Sequence, residues 1–540
     1  MSSTSLTTSG FSAGSRSDSL ILAHLKQLFS QLFSRSNIPS KVLGAYVLYL
    51  IVKYRRSVLF VRPRPELNGP RGLPLVGNVW SSITMPREQL LQRQRKSHDL
   101  YGKVYTVAIP GVGRIVNIMD PDMLDHILRV NFWAYEKGPR FKMSLEPLVG
   151  DGIFGADGEH WKWQRKLASN IFSVKAFRQY TSDVFCQEGE LAIAYLNKIA
   201  DTGKTVDLQQ LFYCYTLDSF GEIAFGKSFG CLKDPEQEVE FAASFDRLNN
   251  ALSGRMISPI WRLRDWWNGR SEQVRKDRIV VRKFALDMIK ERRREQQLQD
   301  SDTAETDSKN KDLLQLFMDM SDDGEALSDD MLIDSVLNFV IAGRDTTAQA
   351  LSWTFYLMHR TEASPEIFQN LVQETDELLQ GGNPTYESIK LQKYAESCFY
   401  EALRLYPSVA KNVKTCVEDD VLPGGIKIYK GERVGWSSWA MGRETTIWGP
   451  DAREYKPERW LKGEKPSSSK FVAFHLGPRT CLGQQFATIE AITIMSMLTQ
   501  KFTFELVDPS VEPAYSPSLT LPLAKGLPVR VKRRVDTPTA

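Results

Sequence analysis

None of the six cysteines, at positions 186, 214, 231, 398, 416 and 481, stands in a CxxC pair, and they are spread thinly over 540 residues. That spacing argues against a disulfide framework and for reduced thiols facing the cytosol. Charge of one sign is scarce too. The formal net charge of +4 gives no general case for nucleic-acid binding, although local basic patches can attract an acidic partner. No internal repeat is present. Long apolar runs are few: the uninterrupted stretch Val42 to Val52 is shorter than the roughly 20 apolar residues of a spanning helix, unless its flanks extend it by snorkelling. Lys53, Arg55 and Arg56 follow it, which would leave the remaining chain on the cytoplasmic side. Residues 1–36 form a polar tail, acid-poor and rich in Ser and Thr, a composition that also suits a mitochondrial presequence. The favoured expectation is a single membrane anchor over residues 37–61.

What is present is an ordinary globular balance, 42% hydrophobic and 25% charged, enough to bury a large core. The length allows either several domains or one large cofactor-centred domain. A Pro-rich connector over residues 62–74, containing Arg62-Pro63-Arg64-Pro65, is stiffened by its prolines. A catalytic domain over residues 75–540 is expected beyond it. Alternation around Pro110-Gly111 predicts two strands and a tight turn between Val104 and Met119. Much of Glu159 to Glu401 has helical periodicity, while Gln296 to Asp312 lacks an apolar face and is expected to be a solvated loop. Gly, Pro and β-branched residues from Thr415 to Val434 and from Thr520 to Val531 predict short strands. The fold class is mainly α with small β-sheets.

The chemistry concentrates in Phe474-His475-Leu476-Gly477-Pro478-Arg479-Thr480-Cys481-Leu482-Gly483. Glycines on both sides of a cysteine let backbone approach a flat ligand, and a helix starting after Gly483 would stabilise a thiolate at Cys481. Taken alone, a free cysteine is more often a buried structural residue. Ala342-Gly343-Arg344-Asp345-Thr346-Thr347 lies in the apolar segment Met331 to Met358, where an interior glycine costs about 1 kcal/mol and so needs a packing or functional reason. Glu401 and Arg404 stand three apart on one helical face, with Pro457-Glu458-Arg459-Trp460 following later.

Together these motifs resemble the signatures of the cytochrome P-450 superfamily, over about residues 66 to 535. The resemblance implies the P-450 fold around a buried haem b, with Cys481 as the axial ligand of its iron. Phe474, Gly477, Arg479 and Gly483 would shape the haem-binding loop, with Arg479 on a propionate. Trp161 and Arg165, in Trp161-Lys162-Trp163-Gln164-Arg165, would be further propionate partners. Lys414 stands where relatives often carry an Arg, and keeps the charge without the bidentate fork. Asp345 would relay protons and Thr346 would hydrogen-bond the bound dioxygen. Glu401, Arg404 and Arg459 would form a structural triad. Trp460 in place of the commoner Phe, and His475 in place of a smaller residue, depart from the pattern; His475 is expected to be packed or solvated.

Such a protein is a haem-thiolate monooxygenase, in which the thiolate favours cleavage of the oxygen-oxygen bond. No flavin or nicotinamide module follows the signature, so electrons are expected from a separate NADPH-dependent reductase. Leu148 to Phe154, Ala224 to Phe229 and Trp439 to Arg443 resemble the alkane and fatty-acid hydroxylase branch, implying a lipophilic substrate such as a fatty acid or alkane chain. Ala342 stands where some fatty-acid hydroxylases esterify a Glu to haem, so the haem is expected to be otherwise non-covalent. A peroxide-rearranging or dehydrating enzyme of the same fold, a sterol or xenobiotic hydroxylase, and a haem sensor are the alternatives; the Asp345-Thr346 pair disfavours the first and the last. The expected location is the endoplasmic reticulum membrane, with the catalytic domain facing the cytoplasm.

Overall fold

The alternating stretch around Pro110 folds into strands β1 (Val104–Ile109) and β2 (Gly113–Ile118), paired antiparallel from Val104 opposite Ile118 to Ile109 opposite Gly113 in the computed structural model. Gly111, at φ 70°, makes the turn that a side chain would strain. Described are residues 42–46, 49, 58 and 61–534, apart from 85, 172–174, 238, 257, 302–312, 320, 323–324, 464, 511 and 517. The polar tail and most of the expected anchor fall outside them. Among the described residues no helix is long and apolar enough to cross a membrane.

Three further strands complete the sheet: β3 (Tyr135–Glu136), β4 (Asn412–Cys416) and β5 (Arg433–Trp436), in the order β1-β2-β5-β4-β3. β5 runs parallel to β2 and antiparallel to β4. The connector stretch is tied to this sheet: Arg64 is buried, donates to Glu432 at 2.5 Å and to the Lys427 carbonyl at 2.7 Å, and Arg62 lies 3.6 Å over the Tyr429 ring. A second sheet joins Phe502–Leu506, Pro528–Arg533 and Thr205–Asp207, all antiparallel.

Two short antiparallel pairs, Ser321–Asp322 with Glu325–Ala326 and Asp420–Leu422 with Ile426–Ile428, are the other sheets among the described residues, and helices dominate what remains. The central one is built from Asp329–Val340, a π turn at Ile341–Asp345, and Thr346–His359, and is buried on nearly every side. Ser328 caps it by accepting from the Met331 amide, and Asp329 and Asp330 place negative charge at the positive end of its dipole. Gly343 has a packing reason: a Cβ there would sit 2.3 Å from the Phe220 ring on the crossing helix Leu208–Phe225. The wide turn and the glycine coincide, as π turns at functional positions do. Gln296 to Ser301, expected in a loop, instead close the helix Arg270–Ser301. Gln296, Gln297 and Leu298 have high helix propensity and carry the helix on. The fold is mainly α with small sheets, as the sequence predicts.

Candidate active site around Cys481

The signature folds as a short 3-10 turn, Gly477–Arg479, that leads into the helix Gln484–Lys501. Its closure is local: the Cys481 amide donates to the Phe474 carbonyl at 2.8 Å and the Thr480 amide to Gly477 at 3.0 Å. Phe474 braces the loop against Tyr400 and Phe471, with ring centroids 5.9 and 6.1 Å apart. The two glycines differ in cause. Gly477, at φ 70°, would put a Cβ 1.9 Å from the Leu128 carbonyl oxygen, so protein packing demands it. At Gly483 a Cβ would meet no atom within 4 Å, so the room beside the sulfur is not demanded by protein packing.

Cys481 is enclosed by protein and yet has accessible surface. Burial raises its thiol pKa, while the Gly483 backbone and the Arg165 charge oppose the rise. A thiol in that setting needs a cation to become a thiolate, and metal coordination deprotonates it outright. Sulfur with room beside it suits an iron porphyrin.

A cluster of cations lies alongside. The Arg479 guanidinium stacks 4.4 Å over buried Trp161, and its Nη2 donates at 2.8 Å to both Asp157 Oδ1 and the Ala156 carbonyl, leaving Nε without a partner. Lys414 is 1% exposed, and its Nζ donates to the Tyr135 carbonyl at 3.4 Å and lies 5.6 Å from the centre of the Phe132 ring. Burial, then Arg479 and Lys137, hold its ammonium well below the usual lysine range. Burial pushes Lys137 down to about 8. His475, at φ 63°, packs against Trp436 with centroids 5.8 Å apart and is held at about 3 by burial and by Lys414 and Lys137. Its Nδ1 is paired with the Leu476 carbonyl, so it is packed. Two carboxylates act in this cluster, Asp157 hydrogen-bonded to Arg479 and Glu136 beside Arg479 and Lys414, and with Arg165 included the four basic side chains exceed them by two, which a dianionic ligand would balance. Both the donor set and the charge therefore fit haem with its two propionates. Arg165 stands apart from the expected pattern: its charge acts on Cys481 as well as on Arg479.

The π turn places Asp345 and Thr346. Asp345 is 2% exposed and accepts from Arg344 Nη1 and from Asn249 Nδ2, each at 2.9 Å. Arg344 is shared with Asp246, a half-exposed carboxylate 2.5 Å away. One guanidinium between two carboxylates leaves the buried one under-compensated, and desolvation raises the Asp345 pKa. The Thr346 hydroxyl donates to the Ala342 carbonyl at 2.7 Å, and the Thr346 carbonyl accepts from Ser408 at 2.7 Å. An acid of raised pKa next to a hydroxyl in a widened turn can hold and pass a proton.

Glu401 is fully buried. Its carboxylate accepts from Arg404 twice, at 2.8 and 2.7 Å, from the Lys456 amide at 3.0 Å, from Arg459 at 3.4 Å and from the Trp460 indole at 2.9 Å. The structure brings Glu401, Arg404 and Arg459 together, and it adds the Trp460 indole, Lys137, Asp157, Asn249 and Asp246, which the sequence did not single out as site residues. Only Trp460 carried a signal, as a departure from the motif.

A family model described as Cytochrome P450 matches residues 67–527. Cytochrome P450 monooxygenase cyp1 of Mycosarcoma maydis is 36% identical over 509 residues, covering 90% of this chain and 78% of its own. Cytochrome P450 704B1 of Arabidopsis thaliana is 34% identical over 508 residues, 86% of this chain and 95% of its own. Cytochrome P450 94A2 of Vicia sativa is 29% identical over 480 residues, 86% and 91% respectively.

Proposed function

The chain belongs to the cytochrome P450 family and is a haem-dependent monooxygenase, and from that premise we propose that it hydroxylates a long alkyl chain, a fatty acid or an alkane. The observation that carries the substrate reading is the placement of Leu148 to Phe154, one of the three segments that resemble the alkane and fatty-acid hydroxylase branch. The Asp151 amide donates to Asp334 Oδ2 at 2.9 Å and the Phe154 amide to Asn338 Oδ1 at 3.1 Å, on the central helix. Asn338 lies about two helical turns before Thr346. The segment that resembles this branch is thus tied to the central helix about two turns before the reacting position.

Haem held at Cys481 supplies activation of dioxygen for insertion of one oxygen atom into a C–H bond. In this reading Cys481 would supply the thiolate that holds the haem iron, Phe474, Gly477 and Gly483 would set its loop, and Trp161, Arg165, Lys414 and Arg479 would bind the propionates. Asp345 and Thr346 hold and deliver protons, and Glu401, Arg404 and Arg459 keep the signature region in register. Electrons come from an NADPH-dependent reductase, for which exposed Lys162 and Lys166 offer positive charge. The membrane of the endoplasmic reticulum, with the body on its cytoplasmic face, is the proposed location. Exposed Ile260, Leu263, Trp266 and Trp267 support lipid contact beyond the anchor.

The test is turnover with NADPH, reductase and dioxygen on fatty acids, alkanes, sterols and small aromatics. Hydroxylated fatty acid or alkane carrying oxygen from labelled dioxygen is expected. Direct turnover of a lipid hydroperoxide without reductase would overturn the monooxygenase chemistry, and a preference for sterols would overturn the substrate class.

A further inference from the structure

The main sheet carries buried cations on both faces, and only one of those groups is near Cys481. Along β4 and β5, Val434 is opposite Lys414 and Arg433 is opposite Thr415. Side chains alternate, so Arg433 and Thr415 project on the face away from Lys414. Arg433 is 7% exposed, and its Nε and Nη2 have no hydrogen-bond partner. Arg140, on the helix Gly138–Val149 that starts against Thr415, lies close enough to repel it. The Arg140 guanidinium is fixed by four backbone carbonyls, those of Gly111, Arg255, Met256 and Ser258, at 2.8 to 3.3 Å. Lys411, just before β4, is the third member: burial and then the Arg433 charge push it down to about 8. No carboxylate acts on Arg433 or Lys411 among the described residues. A buried charge without a partner is costly, and a buried Arg433 with half-buried Lys411 beside it makes sense only where an anion completes them.

The position says which anion. Ser408, three residues before Lys411, donates to the Thr346 carbonyl, so Lys411 starts within roughly 10 Å of the central helix at the reacting position. The segment from Ser408 to Lys411 runs from that helix to the sheet face where Arg433 and Arg140 wait.

We propose that Arg433 and Lys411, backed by Arg140, form the binding site for the carboxylate of an acidic lipid substrate, and so select fatty acids over alkanes. This rests on the long-chain hydroxylase reading above and narrows it. The carboxylate bridges the guanidinium and the ammonium, and the alkyl chain extends along the 408–411 segment towards Thr346.

The experiment is titration of the haem-loaded full chain, following the substrate-induced shift of the haem spectrum, with a long-chain fatty acid, its methyl ester and the alkane of equal length. Arg433→Leu and, separately, Lys411→Met are compared with wild type. Each variant should weaken the acid by about tenfold to a hundredfold while leaving ester and alkane within about twofold. Lys411→Glu should additionally gain affinity for a long-chain alkyltrimethylammonium. Equal loss for acid and ester would reduce the cluster to a structural role and overturn the proposal, as would unchanged acid affinity. Loss of haem from both variants would assign these cations to the propionates and overturn it as well. If wild type itself binds none of the three lipids, the long-chain reading fails, a result separable from a wild type that binds the acid and variants that bind it equally well.

Discussion

The buried charge clusters of this molecule are built in two opposite ways. Around Glu401 and Asp451 two carboxylates meet two guanidiniums, and Glu401 also accepts from a backbone amide and an indole, every donor supplied by this chain. Around Lys414 and Arg479, and again around Arg433, cations outnumber the carboxylates that touch them, and nitrogens of both arginines are left without partners. A closed network stabilises the fold once its members are all satisfied, whereas an open one has a desolvation cost that only a ligand offsets. The difference separates what the chain does for its own stability from what it does for haem and substrate.

The sharpest way to divide them is at the sulfur. Cys481→Ser should abolish the thiolate-type spectrum of the reduced carbon monoxide complex completely, because a hydroxyl cannot replace the electron donation of sulfur. The far-ultraviolet dichroism should stay close to wild type, since the loop is closed by backbone hydrogen bonds. Retention of that spectrum would sink the ligand assignment. Glu401→Ala tests the other side. It leaves Arg404, a fully buried cation, without its carboxylate, and should cost about 3–5 kcal/mol, read as a fall in the denaturation midpoint together with poor haem incorporation. A variant as stable as wild type would show that the closed cluster is not what holds this region.

A smaller effect is expected where the two designs meet, on the central helix. Thr346→Ala should keep haem and substrate binding but lower the ratio of product formed to NADPH consumed, with reduced oxygen species released instead. The Thr346 hydroxyl donates to the Ala342 carbonyl of its own helix, so its removal leaves no buried donor stranded and stability should change little. An unchanged coupling ratio counts against the proton-delivery role.

Legibility in the sequence follows the same division. Cys481 with its loop, the Glu401–Arg404 pair and the Gly343 turn are short-range, so adjacency in sequence carries their geometry. The partners that set the electrostatics come from far along the chain: Asp157 lies 322 residues before Arg479, and Asp246 98 residues before Arg344. No spacing rule links them. The same holds for which face of β5 carries Arg433, which depends on the register with β4 and is invisible until the strands are paired. Composition misled at Gln296 to Ser301, because absence of an apolar face says that a segment is solvated and not that it is irregular.

The mildest test of the closed cluster is also the most discriminating, because it removes one donor without creating a stranded charge. Trp460→Phe keeps an aromatic ring against Tyr400 and Phe471, whose centroids lie 5.5 and 4.8 Å from the indole, and deletes only the N–H that reaches Glu401 Oε2. That oxygen then keeps Arg404 Nε alone, while Oε1 retains its own three donors. A hydrogen bond to a charged group contributes about 1.5–3 kcal/mol net, and the surviving donors can shorten to recover part of it, so a loss of about 1–2 kcal/mol is expected. On a chain of this length that corresponds to about 1–2 °C in the thermal midpoint, with the thiolate spectrum intact. A midpoint unchanged by the substitution would make the indole bond incidental to the network. A fall as deep as that of Glu401→Ala would mean that the cluster has no redundancy, and that it is held as narrowly as the open clusters it is set against.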